Sequence, residues 1–386
     1  MKICIIDQGE LYGGAERFTI DLIKYTSKSK VDFTVLFDEN ADSHYKKDLE
    51  EIPYLKKFAV PLPSMSPSIL SSYPKALISS AKIKSVIKKV DPDVLQSNTI
   101  RAHVVGSMAA KSLGIPLVWV MHDFTFPEKY LKKFVDVPAK IICVSEAVKQ
   151  HLLTICPAID PEKLVIIPNG VHSERSKSEE PYTNILDIDG DSFSFDSKKR
   201  YVGLIGRIDT WKGQDIFLRT IDILQHEYRQ HENVEYCIIG DVTQTAPEKL
   251  AYYQDLRNYV KEHNINNVHF LGHKESLRIL KNLCILVHAS TEKEPFGRTI
   301  IEAFSVGVPV IATKIGGPAE IISYGVNGLL CEPKDPQDLA QKISLLLEDN
   351  HLCETLKMNG KKDVRAKYHI EKVVEAFYAL WCNIKK

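Results

Sequence analysis

Two glutamates lie eight positions apart in the stretch EPFGRTIIE, on either side of a Pro-Phe-Gly break. The apolar spacing predicts that a strand ends near Ser290, that Glu294 lies in the following loop and that a helix begins near Arg298. Glu302 then lies about 6 Å along the helix axis. The unpaired N–H groups and the positive dipole end of the helix lie between the two acids and suit a phosphate. Because carboxylates accept hydrogen bonds from paired hydroxyls, this order matches the sugar, diphosphate and ribose of a nucleotide-sugar.

Short β-branched runs alternate with longer helical patterns along the chain, which predicts parallel sheets built from βαβ units. The first half contains the runs KICIID, DFTVLF, DVLQSN, PLVWVM, KIICVS and LVIIPNG, and the second half contains YVGLIG, VEYCIIG, VHFLG, CILVHAS, PVIATK and NGLLCE. We therefore expect an α/β protein with two doubly wound Rossmann-like domains. Such sheets bind ligands outside the carboxyl ends of their strands, so the two domains are expected to face each other across a cleft.

The predicted domain boundaries follow changes in composition along the chain. Residues 1–172 form the first domain and residues 200–365 the second. The polar, acid-rich residues 173–199 show no sustained period and are interpreted as a linker or an irregular insertion. Residues 366–386 form an amphipathic helix whose aromatic side chains need a surface to cover. Either domain offers such a surface, and packing back on the first domain is one of the two alternatives.

Length and composition exclude several classes of protein. A chain of 386 residues favours two domains, because single cores rarely grow beyond ~250–300 residues. The 50 lysines and arginines balance 50 aspartates and glutamates, so the overall charge argues against nucleic acid as a partner. No apolar run approaches the ~18 residues that span a bilayer, and the start MKICIIDQGE is typical of a first strand rather than a signal peptide. The eight cysteines form no CxxC pair, which fits a reducing cytoplasm.

The stretch EPFGRTIIEA resembles the E-x7-E signature of glycosyltransferase family 4, whose members have the two-domain GT-B fold. Five further segments resemble parts of the family's pattern and occur in its order: YGGAE, VMHDF, IPNGV, IGRIDTWKG and TKIGGPAEII. The resemblance implies an anomer-retaining transferase of the hexosyltransferase type that moves a sugar from a nucleotide diphosphate, most commonly UDP, to a hydroxyl group. The acceptor that it implies is a glycan or a lipid-linked molecule of cell-surface polysaccharide or glycolipid synthesis.

The resemblance also implies roles for individual residues. Arg207 and Lys212 hold the donor diphosphate and stabilise the departing nucleotide. The attraction between these fixed cations and the leaving phosphate becomes stronger as negative charge builds on that phosphate. Glu302 binds the ribose and Glu294 touches the transferred sugar. His122 lies near the sugar and the acceptor, and it is grouped with Arg207, Lys212 and Glu294 as catalytic. The residues expected to bind the donor are Gly13, Gly14, Arg207, Lys212, Gly272, His273, Lys274, Glu294, Phe296, Gly297, Arg298, Thr299 and Glu302.

No metal and no cofactor beyond the nucleotide-sugar co-substrate are expected. Arg207, Lys212 and helix N-termini replace a cation electrostatically. The stretch DIDGD, Asp187–Asp191, contains a D-x-D triplet, but its glycine is not at the sixth position of a calcium loop and Lys198 cannot supply the bidentate acid. We therefore interpret it as a structural feature and not as a metal site. A departure from the family's pattern is His172, which stands where an aspartate commonly follows PNGV.

Between Ile52 and His151 the sequence contains 14 lysines and arginines against 6 aspartates and glutamates. Much of the surplus lies in YPKALISSAKIKSVIKKV and EKYLKKF. An ordinary solvated helix and a surface that docks on anionic lipid both fit this pattern, since a basic residue near such a surface gains roughly 1 kcal/mol. The second alternative would place the protein at the inner face of the membrane.

Two other functions stay open at this point. A nucleotide-sugar 2-epimerase with the same fold would interconvert a donor without an acceptor. A non-catalytic nucleotide-sugar-binding protein would keep the donor site alone. A dehydrogenase is disfavoured, because neither half shows G-x-G-x-x-G after its first strand.

Overall fold

The computed structural model describes residues 1–9, 12–62, 69–124, 128–172, 180–228, 233–242 and 246–385. The chain divides into two compact units. Unit 1 contains Met1–Gly170 and Ile370–Lys386, and unit 2 contains Val171–His369. The chain therefore leaves unit 1 close to the predicted boundary at residue 172 and returns to it for a final helix.

Unit 1 is built on parallel strands whose order, among the described residues, is β3-β2-β1-β4-β5-β6-β7. The strands are β1 (Lys2–Asp7), β2 (Asp32–Asp38), β3 (Lys56–Val60), β4 (Val94–Ser97), β5 (Leu117–Met121), β6 (Lys140–Cys143) and β7 (Leu164–Ile166). The helices are α1 (Gly14–Tyr25), α2 (Ser43–Glu50), α3 (Ile69–Val90), α4 (Ile100–Leu113), α5 (Glu128–Phe134) and α6 (Glu146–Ile155), with α14 (Ile370–Ile384) from the end of the chain. In β1, Ile3 and Ile5 on one face and Cys4 and Ile6 on the other are all 0% exposed. Burial on both faces explains why the inner strands form continuous apolar runs.

Strand β3 is not among the runs that the sequence predicts. It lies at the edge of the sheet, paired with β2 alone, and its sequence KKFAV begins with two lysines. Only Val60 is buried, and Phe58 is 42% exposed. An edge strand with charged, exposed side chains has little hydrophobic pattern to detect.

The last helix, α14, belongs to unit 1 and covers its core with aromatic side chains. Phe377 and Trp381 are both 0% exposed. The Trp381 indole donates a hydrogen bond to Gln96 Oε1 in β4 at 3.1 Å, and its ring lies 5.7 Å from the ring of Phe33 in β2. Of the two surfaces that the sequence left open for this helix, unit 1 is the one that it packs on.

Unit 2 contains a second parallel sheet, with the order β12-β11-β10-β13-β14-β15 in the part of the chain that the structure describes. The strands are β10 (Arg200–Ile205), β11 (Val234–Ile239), β12 (Val268–Gly272), β13 (Ile285–His288), β14 (Val310–Thr313) and β15 (Leu329–Cys331). The helices are α7 (Gln214–Glu227), α8 (Pro247–Glu262), α9 (Ser276–Leu280), α10 (Arg298–Val306), α11 (Pro318–Ile321), α12 (Pro336–Glu348) and α13 (Asn350–Asp363). All of these strands overlap the predicted runs. Helix α12 begins at Pro336 with Asp335 as its N-cap, as the Asp-Pro pair predicts.

Part of the segment interpreted as a linker or an irregular insertion forms a hairpin that belongs to unit 2. Strands β8 (Asn184–Leu186) and β9 (Ser192–Ser194) pair antiparallel. In the hairpin, Ile188 N donates to the Phe270 carbonyl of β12 at 2.9 Å. The Phe193 ring lies 4.6 Å from the ring of His269. Strands of three residues are too short to show an alternating pattern, so these two strands were not predicted.

Helix α3 carries the basic surface that the sequence singles out. Its exposed side chains include Leu77 and Ile78, which are 49% and 63% exposed, followed by the exposed Lys82, Lys88 and Lys89. Throughout the described ranges, no helix is long and apolar enough to cross a membrane.

Candidate active site

Lys212 and Glu294 lie in direct contact in unit 2. Lys212 Nζ is 2.7 Å from Glu294 Oε2, and the two side chains are 16% and 13% exposed. Lys212 ends a short 3₁₀ turn, Thr210–Lys212, after β10, and Glu294 lies in the loop between β13 and α10. A hydrogen bond from Thr291 N to Trp211 O, 2.8 Å long, ties the two loops together. Both loops follow the carboxyl ends of neighbouring strands, which is where parallel sheets bind ligands.

The surroundings of Glu294 keep its carboxyl group ionised. Ser290 Oγ donates to Glu294 Oε2 at 3.1 Å, and His288 Nε2 lies 3.6 Å from the same oxygen. Burial alone would raise the pKa of Glu294, but the Lys212 cation and the hydrogen bonds from Lys212 and Ser290 bring it below its ordinary value. Burial lowers the pKa of His288 to about 4, so this imidazole is neutral near pH 7. Glu294 is therefore suited to accept hydrogen bonds from hydroxyl groups and is a poor proton donor at neutral pH.

A glycine allows the lysine loop to lie directly against β13. Gly213 has φ +74°, and a Cβ at this position would lie 2.0 Å from the carbonyl oxygen of Ala289. The next residue, Gln214, is 0% exposed, and its Nε2 donates to the Arg207 carbonyl at 2.9 Å. Arg207 is thus held through its backbone, with a half-buried side chain, in the loop that also carries Lys212.

Glu302, the second acid of the signature, is 1% exposed and lies inside helix α10. Its Oε1 accepts a hydrogen bond from Arg298 Nε at 2.9 Å, and its Oε2 accepts one from Ser276 Oγ. The helix begins at Arg298, as predicted, with Gly297 as its N-cap at φ +96° and no side chain capping its first turn. The positive end of the helix dipole is therefore left without a side-chain cap beside the Glu294 loop.

The glycines Gly316 and Gly317 lie against the same loop. Gly317 N donates to the Glu294 carbonyl at 2.8 Å, and a Cβ on Gly317 would lie 2.5 Å from the Cα of Phe296. The Phe296 side chain is 5% exposed, and its ring lies 6.0 Å from that of Tyr368. The Phe296 ring therefore anchors the loop in unit 2, so only its backbone N–H remains a candidate for contact with the donor.

The predicted base-contacting segment begins where β12 ends. Gly272 has φ +65°, and His273 N donates to Asp241 Oδ1 at 2.8 Å. Lys274 Nζ donates to the carbonyl of Leu271, and to that of His273 at 3.1 Å. Burial lowers the pKa of Lys274 below its ordinary value, against the attraction of nearby carboxylates. The segment is therefore a turn whose polar groups are largely directed to its own backbone.

The predicted residues of unit 1 lie at the carboxyl ends of β1 and β5. Gly13 is the N-cap of α1, and its N–H donates to Glu16 Oε2 at 3.0 Å. Its backbone is extended, with φ −143°, so its conformation alone does not require glycine. His122 directly follows β5, and its ring lies 5.4 Å from the ring of Phe18 in α1. Within unit 1, His122 is thus packed against the helix that begins at Gly14.

Sequence reasoning missed three side chains that contact the two acids. Ser276 lies 26 positions before Glu302, and no local pattern connects the two residues. His288 and Ser290 lie in the quoted run CILVHAS, one residue apart. Alternate residues of a strand project from the same face. Two polar residues at alternate positions, where an apolar strand ends, could therefore have indicated that His288 and Ser290 face the site.

The acidic stretch Asp187–Asp191 forms the turn of the β8–β9 hairpin. One carboxylate oxygen of Asp187 accepts the backbone N–H groups of Asp189 and Asp191, both at 2.9 Å. Asp189 also pairs with Arg257 at 3.0 Å. These carboxylates stabilise the turn and its attachment to α8.

Comparison with known families covers both units. Residues 12–175 match the family described as Glycosyltransferase Family 4. Residues 188–363 match the family described as Glycosyl transferases group 1. Only the two ends of the chain and the short stretch between the two matches lie outside them.

Individual relatives of known description are also glycosyltransferases. The uncharacterized glycosyltransferase MJ1178 of Methanocaldococcus jannaschii is 28% identical over 359 residues, 89% of this chain and 88% of that protein. The capsular polysaccharide biosynthesis glycosyltransferase CapM of Staphylococcus aureus is 25% identical over 332 residues, 79% of this chain and 82% of that protein. The crystal structure of Anabaena Alr3699/HepE in complex with UDP-glucose superposes with a TM-score of 0.79 at 24% identity, over 99% of this chain and 100% of that one. The chain belongs to glycosyltransferase family 4 and is a glycosyltransferase with the GT-B fold.

Proposed function

We propose that this glycosyltransferase moves a sugar from a UDP-sugar to a hydroxyl group of a glycan or lipid-linked acceptor, with retention at the anomeric carbon and without a metal ion. The observation that carries the proposal is the contact between Lys212 Nζ and Glu294 Oε2 at the carboxyl ends of β10 and β13. In a nucleotide-sugar the transferred sugar is bonded directly to a phosphate. A cation for the phosphate and an acid for the sugar must therefore be neighbours. Alr3699/HepE, a protein of the same fold, binds UDP-glucose, which supports UDP as the nucleotide.

Arg207 and Lys212 stabilise the leaving group in this proposal. When the bond from the anomeric carbon to the phosphate oxygen breaks, the electron pair stays on the diphosphate, where preorganised cations act most strongly. Glu294 fixes the position of Lys212, and both side chains are largely withdrawn from water. We expect Lys212→Ala to lower kcat by roughly 100- to 1,000-fold, in line with the loss of one preorganised charge stabiliser.

Glu294 acts as a hydrogen-bond acceptor for the sugar in this proposal. Its lowered pKa keeps it ionised at neutral pH, so it orients hydroxyl groups and does not donate a proton to the leaving oxygen. Retention rests on the family resemblance, in which the leaving phosphate takes the acceptor's proton on the face where the acceptor attacks. The anomeric coupling constant of the product, read by proton NMR and compared with that of the donor, tests this part. An inverted product would refute it.

Metal independence is proposed because the two cations already supply positive charge at the diphosphate position. Initial rates measured with purified protein, UDP-sugar and acceptor should be the same with EDTA and with added Mg²⁺. A rate that EDTA abolishes and Mg²⁺ restores would overturn the proposal of metal independence.

We place the acceptor side of the reaction at an anionic membrane surface. Helices α3 and α4 contain no aspartate or glutamate, and Leu77 and Ile78 are exposed beside the lysines of α3. A surface cavity of about 520 Å³ is lined by residues of α4 and α5, namely Ser107, Met108, Lys111, Ser112, Lys133 and Phe134. Cationic side chains beside exposed apolar ones suit a bilayer with anionic headgroups. The role of CapM in capsular polysaccharide biosynthesis, a property of that protein, supports a surface-glycan acceptor.

A vesicle experiment with a matched control tests this placement. The protein should sediment with phosphatidylglycerol vesicles at low salt and not with phosphatidylcholine vesicles, since the attraction is electrostatic. Lys88→Glu with Lys89→Glu, in the last turn of α3, should abolish sedimentation. Lys361→Glu with Lys362→Glu, the same change in the last turn of α13, should leave it intact. Equal losses from both pairs, or no sedimentation of the unaltered protein, would contradict a specific docking surface.

Product analysis separates the proposed reaction from its alternatives. Incubation of each UDP-sugar without an acceptor should yield at most slow hydrolysis, whereas a 2-epimerase would convert the donor into its isomer. A non-catalytic binding protein would do neither, with or without acceptor. Chromatography of the nucleotide and sugar products in one assay distinguishes the three.

A further inference from the structure

The carboxylate of Glu302 is held from two directions by side chains. Arg298 Nε donates to its Oε1 at 2.9 Å, and Ser276 Oγ donates to its Oε2. A carboxylate offers about four lone-pair sites, so these two hydrogen bonds do not by themselves saturate it. Two donors on two different oxygens fix both the rotation and the tilt of the carboxylate plane.

Arg298 is an unusual partner because little of its own side chain is exposed. The side chains of the Arg298–Glu302 pair are 9% and 1% exposed, so water screens their attraction little. The two residues are four apart on α10, a spacing that places side chains on the same face of a helix. Arg298 therefore holds the Glu302 carboxylate along one face of the helix.

Ser276 links Glu302 to a different part of the site. It is the first residue of α9 and directly follows the turn Gly272–Glu275, which contains the predicted base-contacting residues. Helix α9 is capped by the Glu275 carboxylate, which accepts N–H groups of Leu277 and Arg278 at 3.2 Å and 2.7 Å. Ser276 is 2% exposed. A hydroxyl on a capped, buried turn is a rigid donor, so it holds Glu302 at a fixed place relative to the base-contacting turn.

We propose that Arg298 and Ser276 are positioning residues that orient Glu302 toward the ribose hydroxyls of the donor, and that preference for ribose over deoxyribose depends on them. This inference rests on the proposed function and on the role that the family resemblance implies for Glu302, which is to bind the ribose of the donor. Arg298 then serves the donor through Glu302 rather than by touching it. Without Arg298 the buried carboxylate loses its charge partner, and without Ser276 it loses its alignment with the base-contacting turn.

Isothermal titration with nucleoside diphosphates tests the proposal. UDP, GDP and ADP are titrated first, and the tightest binder is then compared with its 2′-deoxy form. We expect the unaltered protein to prefer the ribose form by roughly 10-fold or more, as for a hydrogen bond to a charged group. In Arg298→Gln and in Ser276→Ala this preference should fall to near unity, while the ranking of the three bases stays the same. Ser276→Thr, which retains the hydroxyl, should restore the preference.

Two matched controls lie in the same unit. Ser305 Oγ donates to the backbone carbonyl of Glu302 at 2.7 Å and not to its carboxylate, so Ser305→Ala should keep the ribose preference. Arg219 is exposed on α7, so Arg219→Gln should also keep it. A titration gives Kd separately from the folded fraction, so a less stable variant still reports its preference.

The possible outcomes distinguish a failure of this inference from a failure of the proposed function. Failure of UDP, GDP and ADP alike to bind the unaltered protein would overturn the proposed function. Binding with an undiminished ribose preference in both Arg298→Gln and Ser276→Ala would overturn the inference alone, as would an unaltered protein that binds both sugar forms equally. A general loss of affinity with an unchanged ratio would show a merely structural role.

Discussion

The contact between Lys212 and Glu294 can be dissected by replacing each partner with an uncharged side chain of similar size. Lys212→Met leaves the Glu294 carboxylate, 13% exposed, without its cation. Breaking a buried pair from one side costs about 3–5 kcal/mol. The hydrogen bond that Ser290 still donates favours the lower end, about 3 kcal/mol. For a unit of 150–250 residues, 1 kcal/mol shifts Tm by about 2–4 °C, so Lys212→Met should lower the Tm of unit 2 by about 6–12 °C.

The double variant separates stability from catalysis. Lys212→Met combined with Glu294→Gln leaves no uncompensated charge, so most of the lost Tm should return, with a coupling of about 2 kcal/mol between the two positions. Sugar transfer should not return, because the cation for the diphosphate and the acid for the sugar are both gone. The assay pairs thermal unfolding by calorimetry with initial transfer rates for the unaltered protein, both single variants and the double variant.

An ion pair elsewhere in unit 2 supplies the control. Lys199 pairs with Glu235, and the lysine is 44% exposed, so Lys199→Met should lower Tm less and leave the transfer rate unchanged. A double variant whose Tm loss equals the sum of the single losses would refute the coupling. Near-normal transfer by that variant would refute the assignment of both residues to the donor.

Below pH 6.5 the unfolded chain binds protons at His103 and His288 that the folded chain excludes, because burial lowers their pKa values to about 3 and about 4. Unfolding free energy should therefore fall between pH 6.5 and 4, by up to about 1.4 kcal/mol per pH unit for each group; a flat denaturant profile would contradict this. Gly213→Ala should destabilise far more than Gly114→Ala: both residues have positive φ, yet only at Gly213 does a Cβ meet a carbonyl, at 2.0 Å. Equal Tm losses would exclude the clash. Trp381→Phe removes a buried hydrogen bond and should cost unit 1 about 1–3 kcal/mol by denaturant unfolding.

Much of the fold was predictable because the sheets are parallel and buried on both faces. Runs such as KICIID and VEYCIIG are apolar at most of their buried positions, with Asp7 and Glu235 as the buried exceptions. The start of α10 was also predictable, since Gly297 adopts a conformation that glycine favours directly before the helix. The resemblance implied only that Lys212 and Glu294 serve the same donor; their direct contact was not predicted, because 82 residues separate the two in the chain.

What escaped prediction depends on tertiary contacts or on very short elements. Ser276 contacts Glu302 only because α9 and α10 pack together, and nothing local marks that serine as special. Strand β3 lies at an edge with two lysines, and the β8–β9 hairpin has strands of three residues. Periodicity needs several buried positions to be visible, and these elements have too few.

Helix α14 has a consequence for how the polypeptide acquires its structure. The ribosome delivers residues in order, and N-terminal domains generally fold first. Here the sheet of unit 1 is synthesised early, but the helix that supplies Phe377 and Trp381 follows the whole of unit 2. The apolar surface of unit 1 that α14 covers is therefore exposed in the nascent protein for as long as the intervening residues are being translated. A chaperone could bind this surface during that time. Biochemists who wish to express the first unit alone should fuse residues 1–170 directly to residues 370–385.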